Sequence, residues 1–118
     1  MTAAIIFWTL FWCQVYHVDP AFALAVAHVE SRAPGQEFRT GLLAGKWYGP
    51  YNLHRDFRRR WPEITTIPGN CRIGVLALRG SNPRKILQRY NRNFNESYYQ
   101  EVSRARAHYK RVVNYGQP

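Results

Sequence analysis

Residues 18–31 read Val-Asp-Pro-Ala-Phe-Ala-Leu-Ala-Val-Ala-His-Val-Glu-Ser, and this stretch decides the fold. Asp19-Pro20 is a helix start. The Asp carboxylate can cap the first unbonded N–H groups, and Pro suits the first helical position, where its missing N–H has no partner to lose. From Ala21 to Val29 nearly every position is apolar, with no polar stripe. A helix that is apolar on all sides must be surrounded by other elements. Arg32-Ala33-Pro34-Gly35 ends it, since Pro and Gly both break helices. The domain is therefore expected to be built around a buried central helix with Glu30 near its C-terminal end.

Working outward, Ala3 to Cys13 is a nearly unbroken apolar run, followed by Gln14, His17 and Asp19. It is shorter than the roughly 20 residues a membrane span needs. It also lacks the positive flank and small-residue cleavage site of a secretory signal. It reads as a buried first helix, with a degenerate export or membrane-associating segment as the lesser alternative. Residues 34–50 hold Gly35, Gly41, Gly45 and Gly49 without helical periodicity, which predicts a loop with short extended pieces. Leu53 to Trp61 reads as a short basic helix closed by Pro62, and Ile64 to Pro68 as a loop or short strand. Gly69 to Leu78 reads as a helix ending at Gly80, and Asn82-Pro83 opens another through Tyr90. In the last helix Tyr98, Val102, Ala105, Tyr109 and Val112 fall on one apolar stripe, with Arg104, Lys110 and Arg111 off it. The expectation is one mostly α domain over residues 1–118.

The 118 residues suit one compact domain, and 46% hydrophobic content is enough for a real core. With 4 Trp, 8 Tyr and 6 Phe, some aromatic faces must reach the surface or line a groove, where sugars and bases both stack. The net charge of +10 is uneven. Residues 1–50 balance Asp19, Glu30 and Glu37 against Arg32, Arg39 and Lys46. Residues 51–118 carry 14 Lys or Arg against 4 acids and so hold all ten net charges. Such a field draws a protein to a polyanion: nucleic acid, anionic lipid or bacterial wall. Cys13 and Cys71 are too few for a metal site. They either form one bridge or are two buried thiols, and the interior preference of free Cys favours the second.

Glu30 is the most informative residue. Burial among apolar neighbours and the negative end of the helix dipole both disfavour its charged form. A carboxyl kept protonated in this way is suited to protonating a glycosidic oxygen. The bland alternative is a solvated helix-end Glu or a partner for Arg32.

Val18-Asp19-Pro20-Ala21 followed by Glu30-Ser31 resembles the opening of the soluble lytic transglycosylase domain, glycoside hydrolase family 23, related to goose-type lysozyme. The order of later segments resembles it as well. Gly49-Pro50-Tyr51-Asn52-Leu53 stands where that family has a Gly-Leu-Met-Gln-type motif. Asn70-Cys71-Arg72-Ile73-Gly74-Val75 is similar to the helix that follows, and Gln88-Arg89-Tyr90-Asn91 to the Tyr-Asn motif. Tyr98-Tyr99-Gln100-Glu101-Val102 then stands where the final helix begins. Pro50-Tyr51-Asn52 departs from Leu-Met-Gln, and Arg92-Asn93 stands where a small residue and Gly are usual.

The resemblance implies a lysozyme-like fold and one catalytic carboxylate, Glu30. Such a residue protonates the bond between N-acetylmuramic acid and N-acetylglucosamine, then acts as base on the 6-hydroxyl to give a 1,6-anhydro ring. Ser31 would help orient the site, Tyr90 would hydrogen-bond near Glu30, and Asn91 would hold the sugar or the loop. Tyr48, Tyr51 and Asn52, with Trp47, are candidate glycan contacts, the three aromatics being either a stacking wall or ordinary core, with at least one expected in the groove. Tyr90 can equally be read as packing against the central helix, Asn91 as a helix C-cap, and His28 as a core histidine. Inverting hydrolysis on the same fold would need a second acid roughly 6.5–9.5 Å away. Glu37 and Asp56 are the candidates, but Asp56 lies among arginines and reads as their ion-pair partner. The expected partner is the peptidoglycan glycan strand, at the bacterial cell wall or periplasm, as for a phage endolysin or virion-associated enzyme. A monomer is expected, with no metal or organic cofactor, no stable membrane span and no nucleic acid. The rivals are a small basic nucleic-acid-binding domain and a non-catalytic wall-binding module. Against the first, no helix joins a basic stripe to base-reading Asn or Gln.

Overall fold

A computed structural model describes residues 3–31, 43–44 and 47–115. The chain is mostly helical. Helices α1 (Ala3–Tyr16) and α2 (Pro20–Ser31) precede strands β1 (Leu43–Ala44), β2 (Trp47–Tyr48) and β3 (Leu53–His54), which pair in that order as a small antiparallel sheet. Two 3₁₀ helices, Arg55–Arg59 and Pro62–Thr65, lead into α3 (Ile67–Ala77), α4 (Pro83–Tyr90) and α5 (Glu96–Tyr115).

Helix α2 is the core. Ala21 to Ala27 are all buried, and its start is capped as the Asp-Pro pair predicts, with Ala21 N–H donating to Asp19 Oδ1 at 3.1 Å. The outer oxygen of Asp19 accepts from Arg106 Nη2 at 2.7 Å and Nε at 3.0 Å, which ties the start of α2 to α5. Helix α5 packs along α2 through Val102 and Tyr109, with Tyr98 and Ala105 half-buried. Val112 is 52% exposed, so the expected stripe stops short of it. The true 3.6-residue period carries the inward face on to Val113.

Three further expectations are corrected. The first helix is not buried all round. Ile5, Thr9 and Cys13 face inward, against α2 and α3, while Phe7, Leu10, Phe11 and Val15 remain exposed. Residues 53–61 form a strand end and a 3₁₀ helix in place of a short α-helix. Helix α3 begins at Ile67, two residues before Gly69, because Thr66 supplies the cap: its Oγ1 accepts from Gly69 N–H at 3.1 Å. Asn82 caps α4 in the same way, accepting from Lys85 N–H at 3.2 Å.

Cys13 and Cys71 are free, buried thiols. Burial pushes both up to about 12, helped at Cys13 by the charge of Asp19, so neither is a reactive thiolate near neutral pH. Arg72 ties three elements together. It forms a two-pronged ion pair with Glu63, and its Nη1 donates to the Tyr16 hydroxyl at 2.9 Å. The hydrogen bonds from Arg72 hold the Glu63 carboxyl below its ordinary 4.5. A carboxyl depressed by folding adds stability above its unfolded pKa and loses it as pH falls through the folded one. Wild type is therefore expected to melt higher than Glu63→Gln at neutral pH, with the gap closing as pH drops below about 4.5, in thermal melts across pH. A gap that does not change with pH would contradict this.

Candidate active site

The site is built where α2 stops being buried. His28, Val29 and Glu30 are half-buried, after seven consecutive buried residues. Glu30 lies close enough to two phenols for its charge to act on them. Tyr90, at the end of α4, and Tyr98, in the first turns of α5, are both pushed well above the usual tyrosine value, by burial first and by the Glu30 carboxylate second. Neither phenol can therefore ionise near neutral pH, and both stay neutral beside Glu30. His28 Nδ1 and the Tyr109 hydroxyl are hydrogen-bonded at 2.9 Å, which fixes this end of α2 against α5.

The second part is the turn Gly49-Pro50-Tyr51-Asn52. Its closing bond runs from Asn52 N–H to Gly49 O at 3.0 Å. Gly49 has φ +68°, and a Cβ there would fall 2.3 Å from Asn70 Cγ, so only glycine fits. Asn70, fully buried on α3, holds the turn with three bonds. Its Oδ1 accepts from Tyr51 N–H at 3.0 Å, and its Nδ2 donates to Tyr48 O and Ile64 O, each at 2.9 Å. Gly74, one turn along α3, leaves room for the Tyr51 ring, which a Cβ would meet at 2.2 Å. The Tyr90 hydroxyl donates to Tyr51 O at 2.5 Å, joining the turn to the neighbourhood of Glu30.

These two parts border a cleft of about 450 Å³ walled by Trp47, Asn52, Phe57, Arg79, Arg89 and Tyr90 among others. Trp47 is 38% exposed and stands edge-on to His54, ring centres 4.8 Å apart. Arg89 donates through Nη2 to Ala77 O at 3.1 Å and Arg79 O at 2.8 Å, closing the end of α3. Asn52 adopts a left-handed φ of 52°, and its Oδ1 has no hydrogen-bond partner among the described residues. Glu30 is not among the walls. Tyr90 is the side chain shared between it and the cleft.

The structure thus brings Glu30, Tyr90 and Asn52 into one region, with Asn91 beside them. Asn91 caps α4: its N–H donates to Leu87 O, and its Oδ1 accepts from Asn93 N–H at 2.9 Å. The Tyr98 hydroxyl faces Asn91 without reaching hydrogen-bond geometry, and is buried with no partner among the described residues. The other candidates sit elsewhere. Ser31 is buried and its hydroxyl donates to His28 O, within its own helix. Tyr51 is fully buried, its hydroxyl donating to Ala23 O at 3.2 Å and hydrogen-bonded to Thr9 Oγ1 at 2.9 Å, so its ring belongs to the core. Tyr48 is buried with its hydroxyl accepting from Arg58 Nη1 at 3.4 Å.

Glu37 lies outside the described residues. The Asp56 carboxylate is mostly exposed and faces His54 Nδ1 at 3.2 Å, in place of the arginine partner expected for it. Among the described residues no group of His, Cys, Asp and Glu could hold a metal ion, and no helix is long and apolar enough to cross a membrane. Asn70 and Tyr98 are the residues that reading the sequence did not place in the site. Asn70 had one available signal, a strongly polar side chain inside an otherwise apolar helix segment. The chain matches no protein-family model, no curated protein and no solved structure.

Proposed function

We propose that the protein is a peptidoglycan-cleaving muramidase of the lytic-transglycosylase type, on a lysozyme-like helical domain, with Glu30 as its catalytic carboxylate. The observation that carries this reading is the position of Glu30. It stands where a wholly buried helix first opens, with the neutral phenols of Tyr90 and Tyr98 in its field and an aromatic, basic cleft on the far side of Tyr90.

In this reading the Glu30 carboxyl gives its proton to the glycosidic oxygen as the bond from N-acetylmuramic acid breaks. The resulting carboxylate takes the proton of the muramic 6-hydroxyl as that oxygen closes on the anomeric carbon. No water enters, and one carboxyl serves as acid and then base. Two neutral phenols near Glu30 add no charge to its surroundings, and the Tyr98 hydroxyl is the one whose proton is not already given to Tyr51 O. Trp47, 38% exposed, offers its ring to the glycan, and Asn52 lines the same cleft. A transglycosylase is favoured over a hydrolase because the Asp56 carboxylate is mostly exposed and faces His54, away from the position of a second acid.

Release of soluble muropeptides from purified peptidoglycan is the first test of substrate class. Wild type is expected to solubilise the wall polymer and to slow as salt rises, because a +10 protein is captured by its carboxylates and phosphates. Absence of soluble fragments across pH and salt would overturn the reading. Activity that is flat from low to high salt would remove the role given to charge.

A further inference from the structure

Helix α1 presents an apolar face that nothing in the described structure covers. Opposite Ile5, Thr9 and Cys13, the side chains of Phe7, Leu10, Phe11 and Val15 are 59, 38, 42 and 47% exposed. Positions 7, 11 and 15 repeat every four residues with 10 between them, so they form one stripe. Gln14 is its only polar neighbour, and no charged residue occurs from 3 to 16. The stripe is held in place. Phe7 and Trp8, Trp8 and Phe11, and Phe11 and Trp12 meet edge to face at 5.1, 5.6 and 4.8 Å, and Trp12 Nε1 donates to Pro68 O at 3.0 Å. Helix α1 packs on α3, α3 on the 3₁₀ helix Pro62–Thr65, and that on the 3₁₀ helix Arg55–Arg59. The last of these exposes Arg55, Arg58 and Arg59, with Arg60 just beyond and Phe57 41% exposed.

We propose that this face docks on the surface of a lipid bilayer bearing anionic headgroups. A helix of 14 residues is about 21 Å long and cannot cross a hydrocarbon layer of about 30 Å, so it lies in the interface. Phe and Leu, three of the four exposed side chains, are among those that interfacial helices bury at that depth. Charge selects the occupant. A second copy would bring another ten positive charges against the first, whereas an anionic bilayer supplies the opposite sign beside an apolar interior. The inference stands independently of the muramidase reading.

The test is co-sedimentation of the full chain with vesicles of phosphatidylcholine alone and of phosphatidylcholine mixed with phosphatidylglycerol. Wild type is expected to pellet with the mixed vesicles, to release at high salt, and to shift its tryptophan emission to the blue. Phe7→Ser with Phe11→Ser is expected to weaken binding roughly tenfold or more, with the helical fold retained and melting lowered only through the lost contacts to Trp8 and Trp12. Leu10→Ser with Val15→Ser reads the same face independently should the first pair disturb folding. Wild type left in the supernatant with mixed vesicles would overturn the proposal, as would binding that both double variants retain. Equal binding to phosphatidylcholine alone would overturn the anionic choice. A lipid-free dimer dissolved by the substitutions would make the occupant a second copy.

Discussion

Glu30→Gln is expected to lower peptidoglycan cleavage by roughly 10²- to 10⁴-fold, the range contributed by a positioned general acid–base group. The substitution keeps the shape of the side chain and its two polar atoms but can neither deliver nor remove the proton that the reaction needs. The circular dichroism spectrum is therefore expected to match wild type, and the loss to appear in turnover more than in binding of the polymer. The large size follows from the absence of a substitute: no carboxylate among the described residues lines the cleft itself, and Glu30 is the one whose charge reaches its Tyr90 wall. Retention of more than about a tenth of wild-type activity, measured on purified peptidoglycan, would place the acid elsewhere and leave Glu30 as a helix-end residue.

Asn70→Ala is expected to cost about 3–5 kcal/mol of stability. Its amide satisfies Tyr51 N–H, Tyr48 O and Ile64 O in a fully buried position, and each buried group left unpaired costs about 1–3 kcal/mol. Those costs overlap where the backbone can shift, so the sum lies below the maximum. At about 4 °C per kcal/mol for a domain of this size, the melting temperature is expected to fall by roughly 12–20 °C. Activity should fall as well, because the turn that Asn70 holds carries Asn52 and the carbonyl that accepts the Tyr90 hydroxyl. Calorimetry of the two proteins side by side checks it. A change below about 1 kcal/mol would mean that water or a rearranged turn satisfies the three groups.

The central helix was legible because its start and stop are local chemistry: Asp19 and Pro20 at one end, Pro34-Gly35 past the other, with Ala-rich apolar sequence between. The stripe of α5 was legible through its period as far as Tyr109. Helix α1 was legible as a helix but not by face. Every position from Ala3 to Cys13 except Thr9 is apolar, so no pattern separates inside from outside, and the fold buries Thr9 while it exposes Phe7. The inward face is set by what packs there, including the hydrogen bond between Thr9 and Tyr51, 42 residues away.

The candidate site divides in the same way. Glu30 could be singled out because its strangeness is local, a carboxyl at the end of an apolar helix. Asn70 could not be given a role, since its bonds reach partners 6, 19 and 22 residues away and depend on Gly49 and Gly74 leaving room. Tyr51 reads as a groove aromatic or as ordinary core, since it stands in the segment that takes the place of the Gly-Leu-Met-Gln-type motif. The close approach that Gly74 permits turns it into the core, and its backbone carbonyl, not its ring, is the part that meets Tyr90.

In the proposed reaction Glu30 cleaves the glycan without water. Mass spectrometry of the soluble products from purified peptidoglycan, with wild type and Glu30→Gln in parallel, tests this. Wild type is expected to give 1,6-anhydro-muropeptides and the variant none. Muropeptides with reducing ends would contradict the transglycosylase chemistry, and anhydro products that persist in Glu30→Gln would contradict the assignment of the acid.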